Sequence, residues 1–176
     1  MATTKWKLDP AHSEVTFKIK HMMITNVTGH FTEFDVKATS EDDDFTKGTA
    51  TFTAKATSVN TNADQRDTHL RSAEFFDVEK FPEIKFESKK MTKSSGDNYK
   101  LEGNLTMKDV TKPITVDVEF GGIAKDPWGQ TKAGFTVTGK LNRKDFGLTW
   151  NAALETGGVM VSDEVRINCE IQMIKE

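Results

Sequence analysis

Asp9, His12 and Ser13 carry the side-chain types of a hydrolase triad within one short segment. A triad is defined by its geometry across a fold, and one tight segment seldom supplies it. The chain also has no G-x-S-x-G nucleophile elbow. The segment is expected to be a turn in which Asp9 and His12 bond the backbone or each other; the opposing reading, a hydrolase using His12 and Ser13, predicts esterase activity lost in His12→Ala. His12, His21, His30 and His69 lack zinc-like spacing and Cys169 has no second cysteine, so a metal site would have to be assembled from distant residues and none is expected. Arg66, Asp67, His69 and Arg71 form the densest polar group. Either they pair on a helix surface, with one arginine bonded to strand-end carbonyls, or Arg66 meets a phosphate or carboxylate head group together with Arg143 or Lys144, where the arginine fork suits an anion. Arg66, His69 and Arg143 are the head-group candidates.

These residues must be held by the elements around them, and the pattern is almost entirely that of strands. Apolar residues alternate with polar ones in eight runs, marked by Trp6 with Val15, Phe17 and Ile19; Phe34, Val36 and Ala38; Ala50, Phe52 and Ala54; Ile84 and Phe86; Leu101 and Leu105; Val116 and Val118; Phe135 and Val137; and Ile167, Cys169 and Ile171. Thr25 to Gly29 reads as a connection, and Phe31 is out of phase with Phe34, so a bend is expected between them. Lys108 to Pro113 reads as a hairpin connection with Pro113 at the head of the next strand, and Asn142 to Gly158 as less regular. One stretch breaks the period. Between Asn60 and Pro82, Ala63, Arg66, Leu70 and Ala73 recur at helical spacing, predicting a crossover helix near residues 62–75, capped by Asn62 with Gln65 or Thr61 with Asp64 and carrying an Asp67–Arg71 pair.

Short connections make the strands antiparallel. Their outward positions are charged or Thr, so each has one apolar face. An all-β fold follows, best met by one closed eight-stranded antiparallel β-barrel, with a two-sheet sandwich as the alternative. A barrel of this size either fills with its own side chains or holds one small ligand. Phenylalanines facing alanines and glycines leave both outcomes open; a cavity would be apolar and would take a hydrocarbon chain.

The 176 residues suit a single domain, residues 1–176. A net charge of −3, with basic residues scattered among acids, gives no basis for nucleic acid as a partner. No run approaches the roughly 18 apolar residues of a membrane span, so no stable membrane insertion is expected. The N-terminus lacks the apolar core of a secretory signal; the chain as it stands is expected in the cytoplasm, or in the periplasm if a signal was removed. A homodimer is a plausible assembly. Cys169 is expected to be a buried, apolar-like thiol.

Four phrases then stand out together: W-x-L-D-P-x-H-S-x-V-x-F from Trp6 to Phe17; S-V-N-T-N-x-x-x-R-D-x-H-L-R-S-x-x-F-F-D-V from Ser58 to Val78, with F-P-x-I-x-F following; L-T-M-K-D-V-T-K-P-I from Leu105 to Ile114; and R-K-D-F-G-L from Arg143 to Leu148. In this order over nearly the whole chain they resemble the YceI-like family of lipocalin-like, polyisoprenoid-binding proteins. The resemblance implies an extended eight-stranded barrel with a helix packed on it. It implies a long isoprenoid, isoprenoid-quinone-like or fatty amphiphile in the lumen, its polar end near an opening, and neither catalysis nor a cofactor besides that lipid. Many family members begin with a secretory signal, of which residues 1–176 show none, and Asp109 stands where the family commonly has glycine; Asp is expected to tolerate the left-handed turn. Strand parity, not carry-over, gives the expected lumen residues: Val15, Phe17, Ile19, Phe34, Val36, Phe52, Ala54, Phe86, Leu101, Leu105, Val116, Val118, Phe135, Val137, Ile167 and Ile171. A barrel filled solid by its own side chains would instead act through its outer face, as a stress-response or protein-interaction module.

Overall fold

A computed structural model describes residues 2–152, 154 and 159–176. Its strands are β1 (Thr3–Leu8), β2 (Glu14–His21), β3 (Thr25–Phe31), β4 (Phe34–Glu41), β5 (Ala50–Lys55), β6 (Val59–Asn60), β7 (Glu83–Ser95), β8 (Asn98–Met107), β9 (Val110–Lys125), β10 (Thr131–Asn142) and β11 (Val161–Lys175), with helix α1 (Asp64–Arg71) between β6 and β7. All pairings are antiparallel, and the ring β1-β4-β5-β7-β8-β9-β10-β11 closes through β1 against β11. The closed barrel, not the sandwich, is the architecture.

The remaining three strands lengthen three staves of this ring. A short 3-10 turn at Pro10–His12 interrupts one strand whose halves, β1 and β2, both pair with β11. The expected bend after Phe31 divides β3 from β4, and the 3-10 turn Ala56–Ser58 divides β5 from β6. Thr25 to Gly29, read from sequence as a connection, is instead strand β3, paired with β2 from Thr25 to His30 and then with β6. Pro113 lies inside β9 opposite Asn104, rather than at its head; β10 pairs with β9 only from Asp117 onward, so the missing N–H at Pro113 faces no neighbouring strand. Lys108 and Asp109 are both left-handed, at φ 51° and 63°, and close the two-residue hairpin Asp109 was expected to tolerate.

The helix is shorter than residues 62–75. It ends at Arg71 because Ser72 turns extended, and N–H groups of Phe76 and Val78 return to carbonyls of Leu70 and Arg71. Neither expected cap forms. The N-cap is Ala63, without a side-chain acceptor. Asp67, buried at 4% exposure, instead reaches back to accept from the Thr61 N–H (2.8 Å) and the Thr61 hydroxyl (2.5 Å). It therefore does not pair with Arg71, whose guanidinium donates to the carbonyls of Thr57 and Val59. Arginine and aspartate thus sew the helix to the segment from Thr57 to Thr61, in and on either side of β6. A part of the irregular stretch from Asn142 to Gly158 is a 3-10 turn, Arg143–Phe146, ended by left-handed Gly147; the part at 153 and 155–158 lies outside the described residues.

Candidate functional site

Staves as long as the 12-residue β10 rise about 3.3 Å per residue and tilt by roughly 40°, giving a wall of about 30 Å. Inside it runs an elongated cavity of about 550 Å³. Its wall is made by alternate residues of the staves, among them Val15, Phe17 and Ile19 on β2, Val36 on β4, Phe52 on β5, Phe86 on β7, Leu101 and Leu105 on β8, Val116 and Val118 on β9, Phe135 and Val137 on β10, and Ile167 and Ile171 on β11. The phenylalanines leave the bore open partly because two of them lie flat against the wall. A Cβ on Gly29 would stand 2.3 Å from the Phe17 ring, and one on Gly103 2.4 Å from the Phe86 ring, so each ring occupies the space a neighbouring side chain would take.

Phe34 and Ala54 depart from the expected lining. They sit opposite each other in the β4–β5 register and do not border the cavity. Ala54 is 2% exposed within the packed core, and Phe34 lies against Phe52, with ring centres 6.3 Å apart. Parity places a side chain on the inner face, but a larger neighbour such as Phe52 can stand between it and the free space.

The two ends of the bore differ. At one, Phe45 from the connection after β4 folds inward against Trp6 (5.2 Å), Phe120 (5.7 Å) and Phe135 (4.9 Å between ring centres), making an aromatic floor beside which Thr39, Gly48 and Thr49 also border the cavity. At the other, α1 lies across the opening and its exposed residues Gln65 and Arg66 line the cavity, so the lumen reaches solvent there. His69 borders the same mouth, edge-on to Phe75 (5.0 Å) and Trp150 (4.7 Å) and paired with Glu74. Arg66 donates from Nε to the Thr61 hydroxyl (2.7 Å) and from Nη2 to the Thr61 carbonyl (2.6 Å); among the described residues its Nη1 has no partner.

Arg143 reaches the lumen wall but is committed elsewhere. At 1% exposure it donates to the carbonyls of Ser162 (2.8 Å), Leu148 (2.6 Å), Trp150 (2.9 Å) and Val161 (3.3 Å), tying the β10 corner to the start of β11. Burial pulls its guanidinium below the ordinary value, against the pull of Asp163. Its fork is filled by backbone, and it organises the mouth rather than offering donors to an anion. Lys144 turns away to Asp163 (3.4 Å).

The triad-like segment is the expected turn. His12 Nδ1 lies 2.8 Å from Asp9 Oδ2, while the Ser13 hydroxyl donates to the Asp9 carbonyl (2.7 Å) and not to His12. Asp9 is buried and also meets Lys132 Nζ at 2.8 Å. Among the described residues no three His, Cys, Asp or Glu side chains gather as metal ligands. Cys169 faces the lumen between Val15 and Val137, and burial pushes its thiol up to about 12. Several parts of the cavity carried no period-2 signal. Phe45 sits in an acidic connection, Phe75 and Phe76 follow the helix, Trp150 lies within the irregular stretch and Met160 just after it. Only their placement at breaks between elements could have flagged them.

The chain's relatives share this frame. A domain from Saccharophagus degradans described as polyisoprenoid-binding superposes with a TM-score of 0.69 at 14% identity, over 97% of this chain and 98% of that one. Burkholderia cenocepacia BcnA superposes at 0.80 with 22% identity, over 94% of this chain and 98% of its own. The Campylobacter jejuni YceI protein reaches 0.77 with 35% identity over 96% of both chains. In sequence, a UPF0312 protein of Staphylococcus aureus (strain bovine RF122 / ET3-1) is 41% identical over 170 residues, 96% of each chain. With the YceI-like domain model matching from residue 6 to residue 173, nearly the whole barrel, this chain belongs to the YceI-like family.

Proposed function

We propose that the protein is a carrier that holds one long-chain amphiphilic lipid, of the isoprenoid class, in its lumen with the polar end at the helix-covered mouth. The observation that carries this reading is the apolar cavity of about 550 Å³, floored by Phe45 and open beside Arg66. That volume lies in the roughly 300–1,000 Å³ range of small-molecule pockets, and its length suits a chain better than a compact ligand. Burial of a methylene contributes roughly 0.8 kcal/mol. Ten of them contribute about 8 kcal/mol, within the estimated 4–15 kcal/mol cost of association. Tight retention thus calls for a longer chain. The unpartnered Nη1 of Arg66 and the ring of His69 supply the polar recognition, suited to a phosphate, carboxylate or hydroxyl head. The description of the Saccharophagus degradans domain as polyisoprenoid-binding supports the choice of lipid class.

Native mass spectrometry of the protein purified from cells, followed by organic extraction, tests the reading. The expected result is a mass increment of one lipid per chain, recovered in the extract. A folded protein with no extractable lipid and no uptake of added prenyl chains would sink it.

A further inference from the structure

Five large apolar side chains are exposed among the described residues, and four gather at one rim: Met22 (41%), Met23 (53%) and Ile24 (76%) at the tip of the β2–β3 hairpin, and Val159 (37%) beside it. The tip is fastened there by the Met22 N–H, which donates to the Met160 carbonyl (2.7 Å). His21 and Met160, the immediate neighbours of these residues, line the lumen at its helix end. The fifth, Trp128, belongs to the β9–β10 turn at the opposite end.

The tip is also built against local preference. Ile24 N–H donates to the His21 carbonyl (3.2 Å) across a turn whose two central residues, Met22 and Met23, are both left-handed at φ 53° and 65°. Such turns strongly favour Asn-Gly, and unbranched apolar side chains are poor choices for them. Two methionines there keep apolar surface at a cost in backbone conformation. The hairpin's charge is one-sided as well. None of the chain's 27 acidic residues falls between Val15 and Thr32, whereas Lys18, Lys20, His21 and His30 all do, in a chain of net charge −3. Lys18 and Lys20 are exposed, and the nearby acids of β11 are engaged, Asp163 by Lys144 and Glu164 by Lys140 and Arg166.

We propose that this hairpin tip docks the mouth of the barrel onto an anionic lipid surface, its methionines and Ile24 entering the headgroup–acyl boundary while Lys18 and Lys20 meet the lipid charges. Apolar insertion and cationic attraction are the two forces that hold a protein at a membrane interface. The inference rests on the lumen holding a lipid: such cargo avoids water only if the opening touches the bilayer, and the tip stands on that opening.

The test is flotation with vesicles of equimolar phosphatidylcholine and phosphatidylglycerol, and of phosphatidylcholine alone. Loading of the lumen is measured separately, with a slender apolar fluorophore in detergent solution. The tip variant is Met22→Asn/Met23→Gly/Ile24→Ser, which supplies the residues the turn prefers and so protects the fold. Wild type is expected to float with the anionic vesicles, less so as salt rises. The tip variant should lose at least tenfold in bound fraction, Lys18→Gln/Lys20→Gln should lose the preference for phosphatidylglycerol, Trp128→Ser should float as wild type, and fluorophore loading should be unchanged in the tip variant. Wild type that loads fluorophore without floating, or a tip variant that floats equally well, overturns the docking. So does a tip variant that turns a dimer into a monomer, which would assign the patch to a second copy. Wild type that floats yet excludes fluorophore upholds the docking while removing the lipid-filled lumen.

Discussion

Asp9 shows how a side chain with catalytic credentials becomes structural. Its carboxylate is held below the usual aspartate range chiefly by the Lys132 hydrogen bond, with His12 adding to the effect and burial opposing it, while Lys132 is correspondingly raised. A carboxyl lowered on folding stabilises above its unfolded value of 3.8 and loses that contribution as pH falls through the lower folded value; a raised lysine stabilises below 10.5 and loses its contribution as pH rises through the folded one. The pair is therefore at full strength between those limits. Thermal melts of wild type and Asp9→Asn across pH should differ most in that window and converge in acid; a constant difference down to strong acid would refute the assignment. At this scale the sequence was only partly readable. A turn with Asp9 and His12 bonding the backbone or each other was readable from their nearness, and the structure shows them bonding each other, but Lys132 comes from across the barrel. Arg143 looked like Arg66 as a candidate for anions, and only the four carbonyls gathered by folding distinguish the two.

Among elements, strand parity was the dependable signal, because a closed sheet leaves one face of each stave dry. It failed for β3, where Thr25, Asn26 and Thr28 are polar and Gly29 has no side chain to mark the inner face, since the Phe17 ring fills that place. The helix was legible as a break in period, but its length was not. Its end is fixed by backbone bonds in the turns that follow, and its start by Asp67 reaching back to Thr61. Removing that carboxylate orphans a buried N–H and a hydroxyl, each worth about 1–3 kcal/mol when unsatisfied. Asp67→Ala should therefore lower stability by about 2–6 kcal/mol for the two groups together in urea unfolding and, because α1 covers the mouth, speed release of a lumen-bound fluorophore in stopped-flow measurements. An unchanged release rate would show that the helix does not gate the opening.

For the whole molecule, the closed topology and the inner faces of the staves were readable, whereas the hollowness of the barrel was not, because parity does not say where a ring lies once it is inside. A direct check is to fill the space. Ile167 lines the lumen beside Gly139, whose Cβ position is 3.6 Å from Ile167 Cδ1. Ile167→Trp should preserve the barrel, as judged by circular dichroism, and cut uptake of prenyl chains at least tenfold; undiminished uptake would place the ligand elsewhere. The rings resting on Gly29 and Gly103 have a wider implication. At Gly103 an added methyl would also meet the Glu87 backbone carbonyl oxygen at 2.4 Å and strain the strands, but at Gly29 its three nearest atoms all belong to the Phe17 ring; there the calibre of the tube is set by a single hydrogen atom, and one methyl group would tip an aromatic plate toward the axis and narrow the girth of the admitted cargo from the wall itself, without altering the gate.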